Sequence, residues 1–102
     1  MSHFASSRSF LRQIDLSTLD LFVLTCETGS IAQAAERGQI VASAISKRIA
    51  EMELLAQTAL LHRHARGVRP TPAGELLLRH ARAVLMQVEH LRADLGEYAR
   101  GV

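Results

Sequence analysis

From Leu19 onward, apolar residues return at helical intervals. Leu19, Phe22, Val23 and Cys26 fall at i, i+3, i+4 and i+7, one stripe of a helix that starts near Asp15. Ser17 with Asp20 resembles a capping box for it, and Gly29 ends it. Ser30 with Gln33 makes a second capping box, and Ile31, Ala34 and Ala35 give a short second helix whose alanines let a neighbour come close. Gly38 is expected to break it. A third helix runs from about Ala42 to Leu55 on the stripe Ile45, Ile49 and Met52, which leaves Ser43, Ser46, Lys47 and Ala50 together on the opposite face. Two helices joined by a short turn, the second with an exposed small and polar face, make a helix-turn-helix whose second helix suits a major groove. Three-helix domains with no DNA role share that pattern.

The period then changes. Ala59-Leu60-Leu61 and Val68-Arg69-Pro70-Thr71 are short extended runs on either side of His62 to Gly67, with Gly67 supplying the turn, so residues 60–71 read as a β-hairpin or wing. Thr71-Pro72 opens a long helix, an N-cap threonine followed by proline at the first helical position. Leu77, Ala81, Val84, Val88, Leu91, Leu95 and Tyr98 then step by 4 and 3, a heptad seam. The earlier helices are too short to cover such a helix, so the seam calls for a second helix, and a homodimer follows. Residues 1–14, rich in serine and without a sustained period, read as a frayed arm. The fold class is mostly α: a winged helix-turn-helix of three helices and a small β-hairpin over 15–71, followed by a linker or dimerisation helix over 72–99.

Composition narrows the function classes. The chain has 102 residues, 48% hydrophobic and 22% charged, enough for one ordinary globular domain. No apolar run approaches the ~20 residues of a membrane span, and a single cysteine with no apolar leader points to a cytoplasmic, soluble protein. Net charge is only +2, but it is local. Between Glu53 and Glu75 there is no acid, while Arg63, Arg66 and Arg69 alternate with His62 and His64, as a phosphate-binding surface requires.

The order of these elements and their residues resembles the DNA-binding domain of LysR-type transcriptional regulators over residues 15 to about 100. Leu19 to Val23 with Glu27, Gly29 and Ser30 is similar to the family's first helix and the G-S that opens the second; Ala34-Ala35-Glu36-Arg37 is similar to its A-A-E-R. Ser43 to Ile49 followed by Met52-Glu53 resembles the S-A-V-S-R/K-Q-I…L-E recognition helix. Arg63, Arg66-Gly67-Val68 and Thr71-Pro72-Ala73-Gly74-Glu75 resemble the wing and the T-P-A-G-E that opens the linker helix. The resemblance implies sequence-specific binding of double-stranded DNA by Ser30, Ala42, Ser43, Ser46, Lys47, Arg48, Arg63, Arg66 and Arg69. It implies a homodimer through Leu77, Ala81, Val84, Val88, Leu91 and Leu95, antiparallel, with a tetramer open to a full-length protein. It also implies a ligand-sensing domain beyond the linker helix that this chain lacks, so the chain reads as a DNA-binding fragment without a small-molecule ligand.

The departures fall at informative places. Val41 and Ala42 replace a Ser cap and a base-contacting Gln, which removes a cap and a polar base contact and points to altered sequence preference. Ala56 and Gln57 stand where Leu and a helix-ending Gly are usual, and Gly38 where Leu is. The competing reading is a winged-helix dimerisation or protein-interaction module, which would present an apolar patch where DNA binding needs Ser43, Ser46 and Lys47 exposed. No catalytic residue, metal or cofactor is expected: His62 and His64 lack further ligands within the hairpin, and Cys26 sits on an apolar stripe.

Overall fold

The computed structural model describes residues 7–101. It contains, in order, α1 (Ser7–Gln13), α2 (Leu16–Thr28), α3 (Ile31–Gly38), α4 (Ala42–Ala56), β1 (Leu61–His64), β2 (Gly67–Pro70) and α5 (Pro72–Ala99). This is the expected winged helix-turn-helix with its long terminal helix, plus one helix more.

The extra helix corrects the arm expected over residues 1–14. Residues 1–6 lie outside the described residues, but Ser7–Gln13 is helical. Phe10 and Ile14 stand four apart, so a single turn aims both the same way, and Ile14 packs on the core. The core is built from Leu19, Leu21, Phe22 and Val23 of α2, Ala34 and Ala35 of α3, Ile45, Ile49 and Met52 of α4, Leu60, Leu61 and Val68 of the wing, and Leu78 and Ala81 of α5. Thr25, fully buried among them, donates its hydroxyl to the Leu21 carbonyl at 2.7 Å and so leaves no unsatisfied group.

Helix ends and the hairpin turn follow local chemistry, with three shifts from expectation. Asp15, rather than the Ser17 pair, caps α2, its carboxylate accepting from the Thr18 N–H at 2.8 Å. That hydrogen bond holds the Asp15 carboxyl below its ordinary value of 3.8. Gly38 is the last residue of α3, and Gln39 takes the left-handed conformation instead. Gly38 is small for another reason: a Cβ there would come within 3.2 Å of Leu21 Cδ2. The hairpin turn lies at Ala65 and Arg66, and β1 extends through His62 to His64. Gly67 opens β2 opposite His64 with φ of 140°, packed so closely on Gly29 that a Cβ would overlap the Gly29 carbonyl oxygen.

α5 is 28 residues long, roughly 42 Å at 1.5 Å per residue. Thr71 caps it as expected, accepting from the Gly74 N–H at 3.0 Å. Its first half lies on α2 and β2, with Gly74, Leu78 and Ala81 buried, and residues past Leu85 run on largely exposed. Among the described residues no helix is long and apolar enough to cross a membrane.

Candidate functional site

The buried stripe of α4 dictates what its other side presents. Because Ile45, Ile49 and Met52 are held in the core, Ala42, Ser43, Lys47 and Ala50 are exposed and Ser46 is half-exposed. This face is small and polar as far as Ala50, and the exposed Leu54 continues it in the last turn. Val41 caps α4 without a side-chain hydrogen bond, as its missing hydroxyl implies. Ser30 caps α3, accepting from the Gln33 N–H at 3.1 Å, and thereby fixes how the chain enters α3 from α2.

Arg48 departs from the expected set. Its guanidinium turns away from the Ser43 and Lys47 face and donates to Thr18 Oγ1 at 3.4 Å, in a groove of about 810 Å³ that Arg12, Asp15, Lys47 and Glu51 also line. Lys47 borders both surfaces. Four residues along α4 from Lys47, Glu51 places a carboxylate in that groove, so the groove is mixed in charge while the outer face of α4 is cationic.

In the wing, strand register decides which cations share a face. His62 pairs with Arg69 and Arg63 with Val68. Cross-strand partners project to the same side of a ribbon, so Arg69 joins His62 on the solvent side while Arg63 stands on the side of Leu61 and the buried Val68. Arg66 occupies the turn, its N–H donating to His64 Nδ1 at 3.3 Å. All three arginines are exposed, but they flank the hairpin rather than forming one patch.

One functional residue had no assigned role in the sequence. Glu53, half-buried on α4, accepts from the backbone N–H groups of Leu60 and Leu61 at 2.8 and 3.3 Å. It ties the wing to the helix that carries the polar face. Its spacing from Met52 marks it as part of a motif, but a partner seven residues away across a loop leaves no periodic signal.

The α5 seam divides. Ala81, 1% exposed, packs within its own chain, which corrects its placement on a dimer surface, and Leu77 is partly covered by the same core. Val84, Val88, Leu91, Leu95 and Tyr98 remain exposed. The other chemistry in the sequence resolves simply. Burial pushes the Cys26 thiol up to about 11, so it stays protonated and unreactive near neutral pH. Among the described residues, no three His, Cys, Asp or Glu side chains stand together as metal ligands.

Comparison with known proteins gives a consistent set of matches. Residues 16–75 match the model described as bacterial regulatory helix-turn-helix protein, lysR family. The chain is 45% identical over 71 residues to the nitrogen assimilation regulatory protein nac of Escherichia coli K12, covering 70% of this chain and 23% of the relative. It is 33% identical over 84 residues to the HTH-type transcriptional regulator GltR of Bacillus subtilis, covering 82% and 28%. The chain thus spans roughly a quarter of the length of these two curated relatives. Among solved structures, a BenM_DBD/catB site 1 DNA complex superposes with a TM-score of 0.79 at 28% identity, covering 84% of this chain and 96% of that one. A CbnR_DBD-DNA complex gives 0.70 at 28% identity, covering 86% and 97%.

Proposed function

This chain belongs to the LysR family of bacterial regulatory helix-turn-helix proteins, and from that premise we propose that it is a sequence-specific double-stranded DNA-binding domain of a transcriptional regulator, acting in the cytoplasm. Residues 15–71 form the reading unit and 72–99 the linker helix. The observation that carries this reading is the exposed face of α4, where Ser43, Ser46 and Lys47 offer hydrogen-bond donors and the exposed apolar side chains, Val41 and Leu54, stand apart at its two ends. The DNA complexes of the two similar structures support it.

Lys47 reaches furthest and carries most polar base readout, with Ser43 and Ser46 contributing at shorter range, while Ala42 offers a methyl for apolar contact with thymine. Arg66 and Arg69 neutralise phosphates, Arg63 does so from the opposite side of the ribbon, and Ser30 sets α3 against the backbone. Arg48 acts from beside the reading face, positioning α4 against α2 through Thr18. The domain works as a homodimer through the exposed α5 residues Val84, Val88, Leu91 and Leu95, with Leu77 at the seam's edge. Relatives sharing this domain are transcriptional regulators, and no reaction is assigned to it.

Salt-titrated binding to mixed genomic DNA tests the reading. Affinity should fall steeply and linearly with the logarithm of salt concentration, and sequencing of the fragments retained at high salt should recover a common motif. Salt-insensitive or undetectable binding would overturn it.

A further inference from the structure

α1 lies wholly before residue 16, where the family match begins. It has two unlike sides. Phe10 and Ile14 face the body, Phe10 on an apolar groove walled by Met52, Leu76 and Leu77, and Ile14 against the core. Arg8 and Arg12, again four apart, share the other side; both are exposed, and neither forms an ion pair among the described residues. Arg12 lines the mixed groove along α4 together with Lys47, which belongs at once to that groove and to the reading face.

We propose that Arg8 and Arg12 of α1 bind backbone phosphates of the same DNA that α4 reads, so that the groove between α1 and α4 faces one wall of the major groove. The proposal rests on the DNA-binding reading above and adds to it an element outside the family match. Dimensions favour this occupant. An α-helix with its side chains is about 10–12 Å across and the major groove about 12 Å wide, so a seated helix brings its two flanks against the two sugar-phosphate strands. Lys47, Arg48 and Glu51 lie on one such flank, round the helix from Ser43 and Ser46, and α1 stands beside it. Charge agrees: Arg12, Lys47 and Arg48 against Asp15 and Glu51 leave the groove a net +1, before Arg8 is added. Asp15 is engaged as the cap of α2, accepting from the Thr18 N–H, and Arg48 donates to Thr18 Oγ1. Arg12 and Lys47 are left as the cations able to turn toward a phosphate, with Glu51 as the carboxylate that opposes it. A guanidinium suits that role, since its planar fork matches a pair of phosphate oxygens.

The test titrates binding of the whole chain to genomic DNA against salt. Arg12→Gln and Arg8→Gln should each reduce the salt slope by about one unit, and the double variant by about two, with the preferred sequence kept. Arg12→Lys retains the charge and should retain the slope. Glu51 separates a contact from a prop: Glu51→Gln removes a carboxylate from the phosphate wall and should lower the dissociation constant. If Arg12 served only to hold α1 against Glu51, both glutamine variants would weaken binding alike. Ethylation interference gives the place, since one phosphate whose ethylation blocks the parent chain should cease to matter in Arg12→Gln. A double variant with the parent slope, or Arg12→Gln and Glu51→Gln weakening binding together, would overturn the proposal while leaving the DNA-binding reading intact. So would an Arg12→Gln chain that loses helical content, if Arg12→Lys restored the helix without restoring the slope. A parent chain with no salt-dependent binding would overturn both.

Discussion

The outer face of α4 presents Ala42, Ser43 and Lys47, whereas the second half of α5 presents Val88, Leu91, Leu95 and Tyr98. Both are exposed helix surfaces of one chain, and their chemistry is opposite. A small, polar face is well hydrated when alone and loses little by waiting for a partner that is itself polar and charged. An apolar seam left in water costs about 25 cal/mol for each Å² that a partner would cover, so it marks a surface meant to be buried against protein. The contrast is what the proposed function requires, one face suited to nucleic acid and the other to a second helix.

The largest expected effect breaks the apolar side. Val88→Asp puts a charge into the seam at a cost of several kcal/mol, and sedimentation velocity should show a monomer. The same acid on α4 would leave the oligomer unchanged. Next comes the polar side: Lys47→Ala should lower the ratio of specific to non-specific binding by roughly tenfold at fixed salt, about 1.4 kcal/mol, without altering the dimer. A retained ratio would place sequence readout in the wing or in DNA shape.

Smaller effects sharpen the division further. Arg66→Ala should weaken binding to all sequences alike and reduce the salt slope by about one unit, leaving the preferred sequence as it was. Val41→Ser restores a cap at a position whose extended backbone already suits it, so thermal unfolding should shift upward by an amount corresponding to about 1 kcal/mol. The smallest effect is shared by both surfaces, since each depends on α2. Hydrogen bonding depresses the folded pKa of Asp15, so its contribution is present above the ordinary carboxylate value of 3.8 and is lost as pH falls through the lower folded value. Asp15→Asn should therefore flatten the acid limb of a melting-temperature profile taken between about pH 5 and pH 2.

What could be read from the sequence was whatever a period or a fixed offset encodes. The stripe of Ile45, Ile49 and Met52 implied the polar face of α4, and Ser30, Thr71 and Pro72 marked helix starts that the structure retains. Periodicity is silent about which of two adjacent stripes faces inward. On α5, Gly74, Leu78, Ala81 and Leu85 run beside the seam at the same spacing, so Ala81 reads equally well as core or as interface until α2 is docked against it. The helix at Ser7–Gln13 is hidden because serines surround Phe10 and its support comes from residues distant in the chain. Arg48 and Glu53 are set by Thr18 and by the backbone of Leu60 and Leu61, long-range partners that local spacing does not reveal.

Gly67 lies against Gly29, and the Val68 N–H donates to the Gly29 carbonyl at 3.0 Å. Backbone atoms at the junction of α2 and α3 therefore help set where the hairpin points, with no contribution from a side chain at residue 67. A scan of tolerated substitutions should invert the usual ranking of loop and interior here: half-exposed Gly67 should accept almost nothing, while Arg63, Arg66 and Arg69 around it should exchange freely as far as folding is concerned. The wing thus separates aim from grip. On the proposed function, its hold on nucleic acid is open to retuning through its side chains, residue by residue, with the direction of the hairpin left untouched.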